Sequence, residues 1–265
     1  MEVTHNEVSK AISNTSSSST PGYSQINYQV VKWAWKCQTG QTYILVLMRK
    51  CLETGYHPKL WRKAIVVALR KPGKPDYSNP RAYWLITLLE CLGKVLKKIV
   101  ACWLTYLAGK HSLVPANQFG GRSNSSMVDA LLSFTNGVQC AWNHKLVTST
   151  LTFDIKGYFD FINHNRLLSE LRRKCIPLAY VRWVASFLSD REAAICIDGK
   201  RGTMSHVENG IPQGSLISPI LAAFYTAELL RQFQHQTPNQ NEPKHASPQK
   251  SSMHAQYGGQ ATNTR

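Results

Sequence analysis

The stretch FDIKGYFD, from Phe153 to Asp160, predicts a strand that carries a carboxylate near its end and is followed by a glycine turn. Residues 148–155 alternate between polar and apolar side chains, as a half-buried strand does. A carboxylate in this position can hold a divalent metal at a sheet edge. The pattern Asp-x-x-Gly is also common in plain turns, so the residues alone leave both interpretations open.

A second informative stretch, NGIPQGSLISP at Asn209–Pro219, follows about fifty residues later. Its glycines allow a backbone to come close to a ligand directly before the start of a helix. Ser218 is predicted to be the N-cap of that helix, which ends near Phe233. An ordinary loop with a helix cap is the alternative interpretation.

Local signals near the N-terminus predict a capped helix and then a strand. The sequence from Thr4 to Glu7 has the form of a capping box, with Val3 and Val8 as a hydrophobic staple, and predicts a helix to about Ser13. Residues 64–69 are short, apolar and partly β-branched, which is typical of a buried strand.

Apolar residues recur at helical spacing over 85–107 and again over 124–142. One face of the second helix is predicted to pack through Val128, Leu131, Leu132 and Val138. Further helices are predicted around 167–175 and after Pro177. The dipeptide Asp198-Gly199 predicts a hairpin between the strands at 193–197 and 203–207. Helices and hairpins in this order favour an α+β fold over a doubly wound sheet.

The charge of the chain points to a polyanionic partner. Its 265 residues carry 31 Lys and Arg against 15 Asp and Glu, which gives a formal charge of +16. Eleven of the basic residues lie between Lys59 and Lys110. Lys94, Lys97 and Lys98 fit a phosphate-binding surface and a solvated helix face equally well. The lysines of Lys71–Pro75 project from a turn, which favours phosphate contacts.

Composition excludes several other classes of protein. An apolar content of 43% excludes a chain disordered throughout, and no apolar run is long enough for a membrane helix. A polar N-terminus and seven cysteines without a C-x-x-C pair predict an intracellular protein with free thiols. Residues 234–265 contain no Val, Ile, Leu, Phe or Trp, so we expect a disordered, Gln-rich tail.

In this order and at this spacing, the two stretches resemble motifs A and B of reverse transcriptases, in particular those of non-LTR (LINE-type) retrotransposons. The resemblance runs from about Thr4 to Phe233. The matching blocks are 55–58 with 61–64, 71–75, 88–89 with 93–94, 118–120, 154–164 and 210–215.

This resemblance implies the fingers and part of the palm of a right-hand polymerase. It places the polymerase-like unit at 26–233, while local signals define an N-terminal capped helix and Ser-rich linker at 1–25 and composition defines the tail at 234–265. The implied partners are an RNA template, a DNA primer and deoxynucleoside triphosphates, and the implied cofactor is Mg²⁺.

The resemblance also assigns roles to individual residues. Asp154 is the catalytic metal ligand, supported by the backbone carbonyl of Ile155. Phe159 is an aromatic gate that excludes a 2′-hydroxyl. The residues expected to contact the nucleotide or the template are Gln213, Gly214, Lys71, Lys74 and Arg81. The residues expected to shape turns are Asp160, Gly157, Gly210 and Pro212.

The sequence departs from the family pattern at several positions. No Asp follows Asp198, and the later Glu residues are isolated, so that the second carboxylate motif of the family is absent from these 265 residues. Trp84 stands where the family usually has Arg, Gly121 replaces an aromatic residue, and Tyr158 replaces a small one. We expect the strand at Asp154 to have an unpaired edge and to promote aggregation.

Three hypotheses follow from these features. The first is a truncated reverse transcriptase domain of retrotransposon origin that does not polymerise by itself. The second is a non-catalytic module that binds RNA or DNA. The third is a translated retroelement relic without function.

Overall fold

The computed structural model describes residues 2–122 and 125–234, so all of the predicted tail except Gln234 lies outside the described residues. The helices in these ranges are α1 (His5–Ser13), α2 (Tyr28–Lys36), α3 (Gln38–Thr54), α4 (Cys91–Lys110), α5 (Met127–Asn143), α6 (His164–Arg173), α7 (Leu178–Leu188) and α8 (Ser218–Gln234). None of these described helices is long and apolar enough to span a bilayer.

One open sheet accompanies the helices. Its strands are β1 (Lys63–Arg70), β2 (Tyr83–Leu88), β3 (Arg191–Ile197), β4 (Lys200–Arg201) and β5 (Ser205–Val207). β1 pairs antiparallel with β2 and parallel with β3, while β4 and β5 both pair antiparallel with β3. The crossover from β1 to β3 contains α4 to α7. This mixed sheet with separate helices agrees with the predicted α+β class.

The local signals at the N-terminus and at the hairpin are confirmed. The Thr4 hydroxyl accepts a hydrogen bond from the Glu7 backbone N–H, and the Glu7 carboxylate accepts one from the Thr4 N–H at 2.9 Å. Val3 and Val8 are both buried. Asp198 and Gly199 have φ of 49° and 78°, as a two-residue hairpin of the primed type requires.

The starts of two predicted helices differ in the structure. Residues 83–88 form β2, so α4 begins at Cys91 and not near residue 85. Apolar residues at 85, 88, 89 and 92 fit a helix by spacing, but the cross-strand partners in β1 decide the outcome. Ser218 is the first residue of α8 and not its N-cap, because its hydroxyl donates to the Pro212 carbonyl at 2.8 Å.

The strand predicted at 148–155 is not formed, and the helix before it is not packed. Residues 146–155 have no strand assignment, and Phe153 is 78% exposed. α5 forms as predicted, but none of its residues is buried, so no described residue covers the apolar face through Leu131 and Leu132. A strand needs a hydrogen-bonding neighbour, and the described residues supply none here.

The helical core is built around α4 and α7. Leu96, Val100 and Leu104 of α4 are fully buried with Trp183 and Val184 of α7. The indole N–H of Trp103 in α4 donates a hydrogen bond to the carboxylate of Glu7 in α1, and this bond attaches α1 to the same core.

A lysine lies inside this core. Lys97 is 0% exposed, which excludes both the solvated face and the phosphate contact considered for it from sequence. Its Nζ lies 5.5 Å from the centre of the Phe187 ring and has no hydrogen-bond acceptor among the described residues. His57 is also fully buried among the rings of Trp61, Trp183 and Phe187, and neither of its ring nitrogens has a hydrogen-bond partner in the part of the chain that the structure describes.

These two buried bases predict a pH-dependent stability. Burial lowers the pKa of Lys97 from 10.5 to about 7, with Lys94 adding to the shift. Burial also lowers the pKa of His57 well below 6.5, with Lys97 and Arg62 adding to the shift. In both cases the unfolded chain binds the proton more readily than the folded one.

We therefore expect the free energy of unfolding to rise between about pH 7 and pH 8.5, by up to roughly 1.4 kcal/mol per pH unit from Lys97. Below about pH 6.5 it should fall further, because unfolding lets His57 take up a proton. Urea unfolding followed by circular dichroism measures both limbs. A stability independent of pH from about 5.5 to 8.5 would contradict the burial of these bases.

Candidate functional site

The two sequence stretches lie side by side in the fold. The Ile211 N–H donates to the Phe159 carbonyl at 2.8 Å, and the Gly210 N–H donates to the Ile162 carbonyl at 3.1 Å. Gly210 has φ of 71°, and a Cβ there would lie 2.5 Å from the Asp160 carbonyl oxygen. Only glycine allows this close approach of the two backbones.

Side chains reinforce the contact between the stretches. The Gln213 side-chain N–H donates to the Asp160 carboxylate at 3.2 Å, and the Gln213 carbonyl accepts from the Thr87 N–H of β2 at 3.4 Å. His164 Nε2 lies 2.7 Å from the Gly210 carbonyl, which requires the proton on Nε2. Burial lowers the pKa of His164. Residues 209–215, which we call the Gln213 loop, are thus held between the turn at Gly157 and β2 at the edge of the sheet.

The turn itself is centred on Gly157, which has φ of 63°. Its carbonyl accepts from the backbone N–H groups of Asp160 at 2.9 Å and Phe161 at 3.0 Å. The Asp160 carboxylate bonds Gln213 and not this turn. Gly214 follows Gln213 with φ of 88°.

Two half-buried aromatic side chains lie within this turn. The Tyr158 hydroxyl donates to the Ala222 carbonyl of α8 at 2.8 Å, and burial raises the pKa of Tyr158. The Phe159 ring meets the Tyr158 ring edge-on at 5.4 Å between centres. Tyr158 therefore joins this turn to α8, while the backbone carbonyl of Phe159 joins it to Ile211.

Asp154 and Ile155 are not brought into this contact. Both are exposed on the unpaired segment before Gly157, and no hydrogen bond or ion pair joins the Asp154 carboxylate to another described residue. Across the described parts of the chain, no three His, Cys, Asp or Glu side chains come together as a metal site. The arrangement therefore does not fit a two-metal centre.

Arg191 is a site residue that the sequence did not indicate. Its guanidinium is buried at the start of β3 and donates to the Asn209 carbonyl at 2.7 Å, which anchors the loop before Gly210. Burial lowers the pKa of Arg191 to about 10. The adjoining cavity of about 700 Å³ lies between one face of the sheet and residues 205–213, with Asp160, Arg191 and Glu192 in its lining.

Lys71, Lys74 and Arg81 lie together at another place, in the connection from β1 to β2. The turn between β3 and β4 lies at the same end of the sheet, because β1 and β3 are parallel. We call this end of the sheet the basic end; its basic residues are Arg70, Lys71, Lys74, Arg81, Lys200 and Arg201. It also carries two acids, Asp76 and Asp198. Four residues of β2 separate it from the Gln213 contact, a distance of roughly 13 Å.

Hydrogen bonds and an ion pair order the basic end. Arg70 pairs with Asp198 at 2.8 Å, and the Lys71 ammonium donates to the Arg81 carbonyl at 3.0 Å. Lys74 and Lys200 make no ion pair within the described residues. These two ammonium groups are thus available for phosphates.

Comparison with protein families gives one match across most of the chain. Residues 69–257 match the family described as "Reverse transcriptase (RNA-dependent DNA polymerase)". This match includes the Asp154 segment, the Gln213 loop and the basic end.

Among curated proteins, the chain is similar to the "Probable RNA-directed DNA polymerase from transposon BS" of Drosophila melanogaster, at 29% identity over 71% of this chain and 20% of that protein. It is 26% identical to the "RNA-directed DNA polymerase from mobile element jockey" of Drosophila funebris, over 90% of this chain and 25% of the relative. The "Retrovirus-related Pol polyprotein from type-1 retrotransposable element R1" of Bradysia coprophila is 28% identical over 84% of this chain and 22% of its own length. The chain spans a fifth to a quarter of the length of these relatives.

Proposed function

The chain belongs to the reverse transcriptase (RNA-dependent DNA polymerase) family, and from this membership we propose that it binds a primed RNA template as the fingers and part of the palm of a right-hand polymerase. In this proposal the polymerase-like unit is 26–233, flanked by an N-terminal segment at 1–25 and a tail at 234–265. The similarity to RNA-directed DNA polymerases of transposons and mobile elements supports this assignment.

The basic end of the sheet carries the proposal. Six basic side chains and only two acids lie where β1, β2, β3 and β4 meet their connections, on a chain with a formal charge of +16. Such a cluster attracts the phosphates of nucleic acid and releases their counterions on binding. We assign the phosphate contacts to Lys71, Lys74 and Arg81.

The second part of the proposal concerns the nucleotide. Phe159 and Gln213 lie on the two stretches that contact each other, and Gly214 follows Gln213, which favours contacts of these residues with an incoming nucleotide and the template. Phe159 is the proposed gate against a 2′-hydroxyl. Asp160 holds Gln213 in place through its carboxylate.

We further propose that these 265 residues do not extend a primer. Reverse transcriptases generally use divalent metal ions, which several carboxylates must hold. Asp154 lies alone on an unpaired segment, and no Asp follows Asp198 in the sequence. The residues present do not fit a pair of Mg²⁺ ions, so the activity proposed for this chain is binding.

A primer-extension and binding experiment tests both parts. Purified chain is given a primed RNA, Mg²⁺ and deoxynucleoside triphosphates, with Asp154→Asn as the matched variant. We expect no extension by either protein. We expect both to bind the primed RNA equally, with affinity that falls steeply as salt rises.

Two results would count against the proposal. Extension that Asp154→Asn abolishes would show that the carboxylate acts in catalysis in this chain. Absence of salt-dependent binding by a protein that melts cooperatively would exclude a nucleic-acid module. A protein without a cooperative melt would instead favour the relic hypothesis, which the uncovered face of α5 makes reasonable.

A further inference from the structure

We propose that Trp84 is a stacking platform for unpaired bases, so that this chain prefers single-stranded nucleic acid to a duplex of the same length. This inference rests on the proposed function and names the form of nucleic acid that the basic end binds. RNA and DNA strands share the required chemistry, because every base has an aromatic face.

Trp84 lies on a free edge of the sheet with its ring uncovered. It belongs to β2, whose other side has no strand among the described residues, and its cross-strand partner is Leu69. Trp84 is 53% exposed, and its indole makes no ring contact or hydrogen bond within the described chain. Ile86, two residues along the same face, is also exposed. A large aromatic ring in this state is open to a ligand.

Cations surround this exposed face. Side chains at Trp84, Leu69 and Lys71 share it, because the Lys71 N–H continues the ladder to the Ala82 carbonyl at 2.8 Å. Arg201 of β4 lies on the same face, three strands from β2, through the registers of β1 with β3 and of β3 with β4. Its guanidinium stacks on Tyr23 at 4.4 Å from the ring centre.

The charge decides which ligand fits this face. An apolar protein partner would cover Trp84, Leu69 and Ile86 but would offer no anionic group to Lys71 and Arg201, the basic residues on the same face. A strand of nucleic acid offers both an aromatic face and phosphates, and proteins that bind single strands combine stacking side chains with basic grooves. Bases in a duplex are already stacked on one another, so we expect Trp84 to contribute nothing to the affinity for a duplex.

The test compares three exposed tryptophans. Trp33 of α2 and Trp142 of α5 are 59% and 61% exposed, which makes Trp33→Ala and Trp142→Ala matched controls for Trp84→Ala. Each full-length variant is titrated with a short fluorescent oligouridine and with an RNA duplex of equal length. Circular dichroism and thermal melting establish that each variant folds.

We expect Trp84→Ala to lose roughly 5- to 100-fold in affinity for the single strand, the range that one base stack supplies. Trp84→Phe should keep most of the affinity, and duplex binding should not change in either variant. The salt dependence should not change with Trp84→Ala, because stacking releases no counterions. Lys74→Gln and Lys200→Gln should each reduce the salt slope by roughly 0.7.

Two outcomes would overturn the inference. If Trp84→Ala binds oligouridine as the unaltered chain does, Trp84 does not stack on bases, while salt-dependent binding would leave the proposed function standing. If Trp33→Ala or Trp142→Ala loses as much affinity as Trp84→Ala, the effect is not specific to this face. A chain that binds no nucleic acid at all would remove the inference together with the proposed function.

Discussion

Replacing Lys97 by Met is expected to increase the free energy of unfolding by roughly 2–4 kcal/mol at neutral pH. The side chain is 0% exposed, and its Nζ has no hydrogen-bond acceptor within the described chain. If Lys97 is charged in the folded chain, its burial costs desolvation free energy. If it is neutral there, folding must release a proton that Lys97 keeps in the unfolded chain at neutral pH, and this also lowers the free energy of unfolding. Met has a similar length and pays neither penalty.

Urea unfolding at neutral pH measures this effect, with Lys98→Met as the matched control. Lys98 is the next residue of α4 and is only half-buried, so its replacement should leave the unfolding midpoint close to that of the unaltered chain. Lys97→Met should also flatten the rise in stability between about pH 7 and pH 8.5. A Lys97→Met protein less stable than the unaltered chain would mean that the ammonium has a partner.

Replacing Arg62 by Met is expected to reduce the free energy of unfolding by roughly 1–3 kcal/mol. The Arg62 guanidinium donates to the His57 carbonyl at 2.8 Å, to the Ser186 hydroxyl at 2.9 Å and to the Ser189 hydroxyl at 3.0 Å. It also pairs with the Asp190 carboxylate at 3.1 Å. Removal leaves the buried His57 carbonyl without this donor and detaches the end of α7 from the start of β1.

Arg70→Met is a control of the same chemistry in a different environment. Arg70 pairs with Asp198, but its side chain is 56% exposed, against 4% for Arg62. Water replaces the lost contact at Arg70, so the unfolding midpoint should hardly move. Equal destabilisation by Arg62→Met and Arg70→Met would contradict the assignment of Arg62 to the interior.

Features encoded by a few neighbouring residues were predictable from sequence. The helix cap at Thr4 and the hairpin turn at Asp198-Gly199 depend on local hydrogen bonds and on positive φ, which short motifs specify. The contact between Phe159 and Ile211 was not predictable in its geometry. It depends on the tertiary fold, which brings residues 52 positions apart into backbone contact.

Predictions were wrong or missing where a feature depends on a partner far away in the sequence. Alternation at 148–155 specifies which side chains share a face, but a strand also needs a neighbour. Lys97 lies at helical spacing from Gly93, Val100 and Leu104, and this spacing was the one sequence signal of its burial. Arg62 and Arg191 have no comparable signal, because their carbonyl acceptors come from backbone positions fixed only by the tertiary fold.

The parallel pairing of β1 with β3 has a consequence for synthesis on the ribosome. β2 follows β1 after 12 residues, whereas β3 begins 120 residues after β1 ends. At roughly 5–20 residues per second, translation takes on the order of 6–24 s to supply the missing neighbour. During that interval one side of β1 has open backbone groups on a nascent chain, and a chaperone that shields extended segments would find its substrate there.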